Sequence, residues 1–266
     1  MTAGGRPPDA AWTRLCDEVP GRPRVACFHA AGGSAQSFLP WRGAFEGRYG
    51  LVAAELPGRG RRYGEPYAVS VAAVAADLAA GLDRFGAGPW IFVGHSLGAL
   101  IAYEAAAALR DRGAPAPLGL IVVARRAPQA RAQGDGLPDG SLPAVRAYLK
   151  GLGGTPDAIL ADDAYMRMVS DTLQADFDLL RGYVHRPRPP LETPVHAIGA
   201  LEDDAVGFEP MLGWRLLGAP GGTLTMIEGG HFSAMRDPSA VVRRIDRIRL
   251  DRPPADSEEQ RLPRCA

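Results

Sequence analysis

Short runs of apolar residues, separated by polar and glycine-rich stretches, dominate the hydrophobic pattern of this 266-residue chain. Most of the runs are β-branched or otherwise apolar and are bounded by Gly or Pro, which is typical of buried strands. The pattern predicts six strands, at residues 24–30, 49–56, 89–95, 118–124, 194–200 and 223–228.

Helical stretches separate several of these strands. Residues 69–85 and 97–112 read as helices, and Gly113 ends the second one. An alternation of strands and helices predicts an α/β fold, in which a mostly parallel sheet is flanked by helices on both faces.

One interval breaks the alternation. Residues from about 126 to 190 lie between two predicted strands, far more than a crossover requires. Apolar side chains at helical spacing predict two helices there, at 142–152 and 164–183. These helices either pack on the edge of the sheet or form a lid over the carboxyl ends of the strands, where open α/β sheets bind ligands. We favour the lid, because a nucleophile at that edge requires a walled, dry pocket.

Charge and composition narrow the class of protein. Thirty Lys and Arg residues balance thirty Asp and Glu residues, so no global field attracts nucleic acid or an anionic membrane. No apolar run approaches the ~20 residues of a membrane span. Residues 1–11 and 251–266 lack apolar periodicity and are expected to be disordered, which leaves one domain at 12–250. The three cysteines have neither disulfide nor metal spacing, so we expect a cytoplasmic protein without metal or cofactor.

The third predicted strand ends in Gly94-His95-Ser96-Leu97-Gly98, and a helix follows at once. A strand, the pattern G-x-S-x-G and a helix, in this order, form the nucleophile elbow of α/β hydrolases. The two glycines suit a sharp turn in which a Cβ atom would meet neighbouring backbone. Ser96 is therefore the predicted nucleophile, at a helix N-terminus that favours developing negative charge, and the predicted fold is that of an α/β hydrolase.

A serine nucleophile needs a histidine base, which in this fold follows the serine and the acid in the chain. His231 comes directly after the last predicted strand, where two glycines let the loop return over the sheet. We therefore predict His231 as the base. The other histidines are expected to be structural: His29, His95, His185 and His196.

The acid that orients the base should end the preceding strand. Residues 202–204 offer three carboxylates there. We predict Asp203 as the triad acid, with Asp204 as the alternative and as the N-cap of a following helix. The fourth predicted strand is followed by Arg125 and Arg126 rather than by a carboxylate, which argues against an acid at that earlier position.

Two backbone N–H groups should form the oxyanion hole. One belongs to Leu97, directly after the nucleophile, and the other to the small, glycine-rich loop 29–34 after the first predicted strand. Within that loop we favour Ala31, with Ala30 as the alternative.

Several further stretches follow the pattern of one enzyme family in order along the chain. They are Cys27-Phe28-His29-Ala30-Ala31-Gly32-Gly33, Leu56-Pro57-Gly58-Arg59, the elbow, Leu152-Gly153-Gly154-Thr155-Pro156, Ala175-Asp176-Phe177 and Gly230-His231-Phe232. Over about residues 12 to 248 the chain resembles the type II (external, editing) thioesterases of polyketide and nonribosomal peptide synthesis. The resemblance implies hydrolysis of acyl thioesters from the phosphopantetheine arm of acyl or peptidyl carrier proteins, which removes stalled or misprimed chains. It also supports Ser96, Asp203 and His231.

The chain departs from the family pattern at four positions. Ala30 replaces the His of the opening motif, and His29 stands where the family has Pro. Gly60 replaces a Glu, and Gln174 stands where Arg commonly precedes Ala-Asp-Phe. None of these departures touches the predicted triad.

Three arginines, Arg59, Arg61 and Arg62, follow the second predicted strand at the edge that also carries Ser96. They form either an ordinary solvated turn or a docking surface for the acidic carrier domain that the resemblance implies. Rival functions also remain open: a small-molecule carboxylesterase or lipase with the same triad, and a chain-releasing thioesterase, which is normally fused to a synthase. A catalytically silent hydrolase fold would need a broken triad.

Overall fold

Residues 10–130 and 137–251, the part of the chain that the computed structural model describes, fold around an eight-stranded sheet. The strands are β1 (Trp12–Cys16), β2 (Arg24–Phe28), β3 (Gly50–Ala54), β4 (Trp90–His95), β5 (Gly119–Val123), β6 (Leu191–Ala200), β7 (Gly218–Ala219) and β8 (Leu224–Ile227). Their order is β1-β3-β2-β4-β5-β6-β7, and β8 pairs with the second half of β6. Strand β1 is antiparallel to β3, whereas the remaining pairings among these strands are parallel.

All six predicted strands are present, and the predicted α/β-hydrolase fold class is confirmed. Strands β1 and β7, which were not predicted, both lie at edges of the sheet. Strand β1 has polar residues at its centre, and β7 is only two residues long, so neither forms an apolar run. Strand β6 begins at Leu191 rather than at residue 194, because its first residues pair with β7.

Helices cover both faces of the sheet. They are α1 (Arg42–Phe45), α2 (Val71–Gly81), α3 (Leu97–Asp111), α4 (Leu142–Leu152), α5 (Asp157–Ala161), α6 (Asp163–Gly182), α7 (Phe208–Leu212), α8 (Ser233–Arg236) and α9 (Ser239–Asp251), with 3₁₀ turns at Ala35–Trp41, Gly60–Arg62, Leu82–Phe85 and Gly213–Leu216. Helices α2 and α3 pack on one face, and α1 and α9 pack on the other. No helix of the described part is long and apolar enough to span a bilayer.

Alternation along the central strands divides the core between the two faces. Phe92 and Leu120 join the cluster beneath α2 and α3, whereas Ile91 and Ile121 join the cluster beneath α1 and α9. Successive side chains of a strand point to opposite faces, so a strand covered on both sides must be apolar throughout. This explains why the central strands read as continuous apolar runs.

Helices α4 to α6 form the insertion between β5 and β6. The prediction for α4 matches its bounds, α6 begins and ends one residue earlier than predicted, and α5 was missed. The insertion has a small core of its own, made by Val145, Leu160, Met166, Leu173 and Phe177.

The predicted terminal boundaries need correction at two points. Ala10 and Ala11, assigned to a disordered segment, are buried, and the Ala11 carbonyl accepts a hydrogen bond from Glu55 N at 2.9 Å. Asp251, the first residue of the predicted tail, is the last residue of α9. The predictions of disorder for residues 1–9 and 252–266 lie outside the described residues.

Candidate active site

Ser96 lies in the sharp turn between β4 and α3. Its backbone angles are φ 54° and ψ −114°, a conformation that a residue with a side chain rarely adopts. The turn is held because Ser96 N donates to the Val123 carbonyl at 2.9 Å and the Ser96 carbonyl accepts from Ala99 N at 3.0 Å. The Ser96 side chain makes no capping hydrogen bond with α3, so its hydroxyl stays available at the partly exposed tip of the turn.

The two glycines of the elbow have a steric role. A Cβ atom on Gly94 would collide with the backbone of Gly98 and Ala99. A Cβ atom on Gly98 would collide with the carbonyl groups of Phe28 and His29. Only glycine therefore allows the start of α3 to approach both its own strand and the loop after β2 this closely.

Asp203 and His231 form a buried hydrogen-bonded pair beside this turn. The Oδ2 atom of Asp203 accepts from His231 Nδ1 at 2.8 Å. The other carboxylate oxygen, Oδ1, accepts from the N–H groups of Ala205 at 3.0 Å and Val206 at 3.2 Å. Because a carboxylate only accepts, Nδ1 carries the proton, and the second ring nitrogen, Nε2, is left as an acceptor.

The alternative acid, Asp204, is exposed and has a different place in the loop. It does not cap a helix as predicted, because the next helix, α7, begins at Phe208 with Gly207 as its N-cap. The backbone contacts of the loop are made by Asp203 instead.

His95, which was predicted to be only structural, is a further residue of the site. Its Nε2 atom donates to the backbone carbonyl of His231 at 2.9 Å. Burial, and then the neighbouring His231, lower the pKa of His95 to about 3, so its ring is neutral at physiological pH. His95 thus holds the loop that carries His231, and its position next to Ser96 in the elbow was the available signal.

The loop after β2 passes directly beside the start of α3. The Phe28 and His29 carbonyls border Gly98, and Gly33 N donates to the Ala30 carbonyl at 3.0 Å, which closes a tight turn around Ala31. Leu97 is the first residue of α3, whose leading N–H groups have no partner within the helix. The two predicted oxyanion donors, Leu97 and Ala31, therefore belong to adjoining backbone segments.

An ion pair holds this loop from the opposite side. The guanidinium of Arg59 binds both carboxylate oxygens of Asp176, at 2.6 and 2.7 Å, and Asp176 is fully buried in α6. Asp176 Oδ2 also accepts from Gly32 N at 2.7 Å, and Arg59 also donates to the Gly33 carbonyl at 3.2 Å. Two motifs of the sequence, Pro-Gly-Arg and Ala-Asp-Phe, thus meet at the loop. We call these four residues the loop clamp.

The suggested arginine docking surface is wrong for two of its three members. Arg59 is buried in the loop clamp. Arg62 is also buried, and its guanidinium pairs with Glu65 and Asp77, each at 2.7 Å. Arg61 is exposed. Because two of the three guanidinium groups are buried in ion pairs, these three arginines do not form an exposed cluster.

Two cavities lie beneath helices α4 and α6. One, of about 490 Å³, contains Ser96 and His231, and its further walls include Arg125, Tyr148 and Leu180. The other, of about 550 Å³, is lined by Ala30, Ala31, His95, Leu173 and Phe232, among others. Within the described ranges, no group of three or more His, Cys, Asp or Glu side chains could hold a metal ion.

This arrangement, a strained serine at an elbow with a buried histidine–aspartate pair on the same cavity, defines the chain as an α/β hydrolase. Residues 23–248 match the family model described as Thioesterase domain, and the chain belongs to this family. The resemblance predicted from the motifs is confirmed.

Similar proteins include a biosynthesis protein and thioesterases. The chain is 31% identical to Gramicidin S biosynthesis protein GrsT of Aneurinibacillus migulanus, over 79% of this chain and 82% of that protein. It is 32% identical to Thioesterase PikA5 of Streptomyces venezuelae, over 83% of this chain and 79% of that protein. The solved structure of the type II thioesterase BorB from the borrelidin biosynthetic cluster superposes with a TM-score of 0.77 at 28% identity, covering 90% of this chain and 98% of the other. The protein is thus a hydrolase of acyl thioesters.

Proposed function

We propose that Ser96, His231 and Asp203 form a catalytic triad that hydrolyses acyl thioesters on the phosphopantetheine arm of acyl or peptidyl carrier proteins. In this role the enzyme removes aberrant or stalled acyl groups during polyketide or nonribosomal peptide biosynthesis. The observation that carries the proposal is the buried contact between Asp203 and His231, on the cavity that also contains Ser96.

In the first step, His231 Nε2 takes the proton of the Ser96 hydroxyl as its oxygen attacks the thioester carbonyl. Asp203 holds the Nδ1 proton at 2.8 Å and stabilises the imidazolium that forms. The tetrahedral intermediate collapses to an acyl-serine, and the pantetheine sulfur leaves as a thiol with the proton from His231. A water molecule, deprotonated by His231, then attacks the acyl-serine and releases the carboxylic acid and free Ser96.

The oxyanion of both tetrahedral intermediates is bound by the N–H groups of Leu97 and Ala31 in this mechanism. The close approach of Gly98 to the Phe28 and His29 carbonyls supports this pair, because it brings the loop after β2 next to the first turn of α3. The loop clamp supports it as well, because it restrains the residues on the C-terminal side of Ala31. Preorganised donors of this kind stabilise charge without reorganisation during the reaction.

Helices α4 to α6 act as a lid in this proposal. Tyr148 and Leu152 of α4 and Leu180 of α6 line the cavity around Ser96, which supports a role in excluding water from the acyl-enzyme. We place the enzyme in the cytoplasm, because Cys16 and Cys27 are free, buried thiols, as is usual in a reducing compartment.

Intact-protein mass spectrometry of a panel of acylated carrier proteins tests the proposal. The wild-type protein should return the carrier to its free-thiol form, and Ser96→Ala should slow this at least about 10³-fold without loss of the folded state. A matched pair of N-acetylcysteamine thioester and oxygen ester separates a thioesterase from a carboxylesterase. If Ser96→Ala still deacylates the carrier proteins at a rate near that of the wild type, Ser96 is not the nucleophile.

A further inference from the structure

Arg125 brings a guanidinium group into the cavity that contains the nucleophile. It follows β5 at the carboxyl edge of the sheet, and its carbonyl is held by Trp214 Nε1 at 2.7 Å. Ser96 N is bound to the carbonyl of Val123, two residues before Arg125. The Arg125 side chain and Ser96 both line the 490 Å³ cavity. A cation is therefore part of the wall of the cavity that contains the nucleophile.

No carboxylate neutralises this cation within residues 10–130 and 137–251. None lies within ion-pair distance of Arg125, and the buried Nε atom of Arg125 has no hydrogen-bond partner there. The Asp203 carboxylate already accepts hydrogen bonds from His231, Ala205 and Val206. The exposed Asp204 lines the same cavity but forms no ion pair with Arg125. Burial, and then the neighbouring Arg126, lower the pKa of Arg125 to about 10, so the group stays charged at neutral pH.

The other walls of the cavity are mixed in character. Apolar side chains come from Leu137, Ala147, Leu152, Leu180 and Val206, whereas Arg126, Tyr148 and the exposed Asp204 contribute polar groups. A neutral acyl chain in this space would displace water from the half-buried guanidinium and offer it no partner, which is unfavourable. An acyl chain with a carboxylate would satisfy both the apolar wall and the guanidinium, which binds carboxylates through two parallel hydrogen bonds.

We propose that Arg125 is a specificity-determining residue that binds a carboxylate on a short acyl chain, so that the substrates of this enzyme include monothioesters of dicarboxylic acids. The inference rests on the proposed thioesterase function and adds the chemical class of the acyl group. A phosphate of the pantetheine arm is the other anion available. It lies at the far end of that arm, whereas Arg125 belongs to the strand end that holds the nucleophile turn.

Two N-acetylcysteamine thioesters of equal heavy-atom count test the proposal: malonyl, which ends in a carboxylate, and isovaleryl, in which two methyl groups replace the carboxylate oxygens. Neither contains a phosphate, so a preference between them reports only on the acyl group. The wild-type enzyme should favour the malonyl thioester in kcat/KM by about tenfold or more. Arg125→Gln should lower the malonyl-to-isovaleryl ratio by about 100-fold, because a charged hydrogen-bond donor is lost. Arg125→Lys should retain part of the preference.

Controls separate this role from charge in general and from a structural role. Arg22→Gln makes the same charge change at an exposed site just before β2, at the opposite edge of the sheet, and should leave the ratio unchanged. The Tm of Arg125→Gln should not fall, since the substitution breaks no ion pair of the described residues. A lower Tm in Arg125→Gln would instead identify a structural role for the guanidinium and overturn the proposal.

Different results would overturn the role of Arg125 and the thioesterase function. Hydrolysis of the isovaleryl thioester without a malonyl preference, or a ratio that Arg125→Gln leaves unchanged, would overturn the role of Arg125 and leave the thioesterase function standing. Failure to hydrolyse either of these thioesters or any acylated carrier protein would overturn the proposed function, and the role of Arg125 with it.

Discussion

Asp176→Asn removes one charge from the loop clamp with almost no change in volume. Asp176 is fully buried, and the Arg59 side chain is only 8% exposed, so the variant leaves a nearly buried guanidinium without its counter-ion. Breaking a buried ion pair from one side costs about 3–5 kcal/mol. For a chain of this size, that loss lowers the Tm by about 6 to 20 °C.

The same substitution should also slow catalysis. Asp176 accepts from Gly32 N, and Arg59 donates to the carbonyl of Gly33, so the clamp restrains the residues that follow the proposed oxyanion donor Ala31. Loss of one well-placed oxyanion donor costs about 10²–10³ in kcat, and a loosened donor should cost part of that. We expect kcat to fall about 10- to 100-fold with little change in KM, measured on an acyl-N-acetylcysteamine thioester.

A double variant separates stability from positioning. Arg59→Met combined with Asp176→Leu removes both charges, and apolar replacement of a buried ion pair is often neutral or stabilising. The Tm should therefore recover, while kcat stays low because Gly32 and Gly33 have lost their partners. Recovery of kcat together with the Tm would show that the clamp stabilises the protein without positioning the loop.

An exposed ion pair of the same geometry provides the matched control. Arg112 binds both carboxylate oxygens of Asp83 at 2.8 Å, but the Asp83 side chain is 68% exposed. Because solvent screens such a pair, Asp83→Asn should cost less than about 1 kcal/mol and leave kcat unchanged. Equal losses of Tm for Asp83→Asn and Asp176→Asn would refute the argument from burial.

Three further predictions concern the triad, the elbow and the dependence of stability on pH. Asp203→Asn should lower kcat by orders of magnitude and Asp204→Asn by little, because only Asp203 contacts His231; the reverse order in steady-state kinetics would reassign the acid. Gly98→Ala should cost about 1–3 kcal/mol in urea unfolding, since its Cβ atom meets two carbonyl groups, whereas Gly43→Ala, with open space around it, should not destabilise. Burial lowers the pKa of His95 to about 3 and that of His196 to about 4, from 6.5. Below about pH 6.5 the unfolded chain therefore binds more protons than the folded chain, and the Tm should fall as the pH drops from 6.5 to about 4. Replacement of His196 by Gln should make the Tm depend less steeply on pH in this range. An unchanged dependence of the Tm on pH would contradict the role of His196.

Local patterns were sufficient to predict much of the architecture and the central residues of the site. Apolar runs bounded by Gly or Pro identified the parallel strands, because a strand covered on both faces must be apolar throughout. The elbow was recognised from five adjacent residues. The contacts that require glycine at positions 94 and 98 are made within the turn itself and with the neighbouring strand end. Chain order and strand ends then led to Asp203 and His231 as the pair that the structure brings together.

Contacts between distant parts of the chain, and burial, were decided by the tertiary structure alone. Strands β1 and β7 owe their extended form to pairing with β3 and β6 rather than to an apolar pattern. Arg59 and Asp176 are 117 residues apart, and no local signal shows that a guanidinium in an arginine-rich turn is buried against helix α6. The sequence also shows that Arg125 carries a positive charge, but the effect of that charge on binding depends on the partners and the solvent around it. Free energies of charged groups are set by their surroundings, and the fold supplies those surroundings.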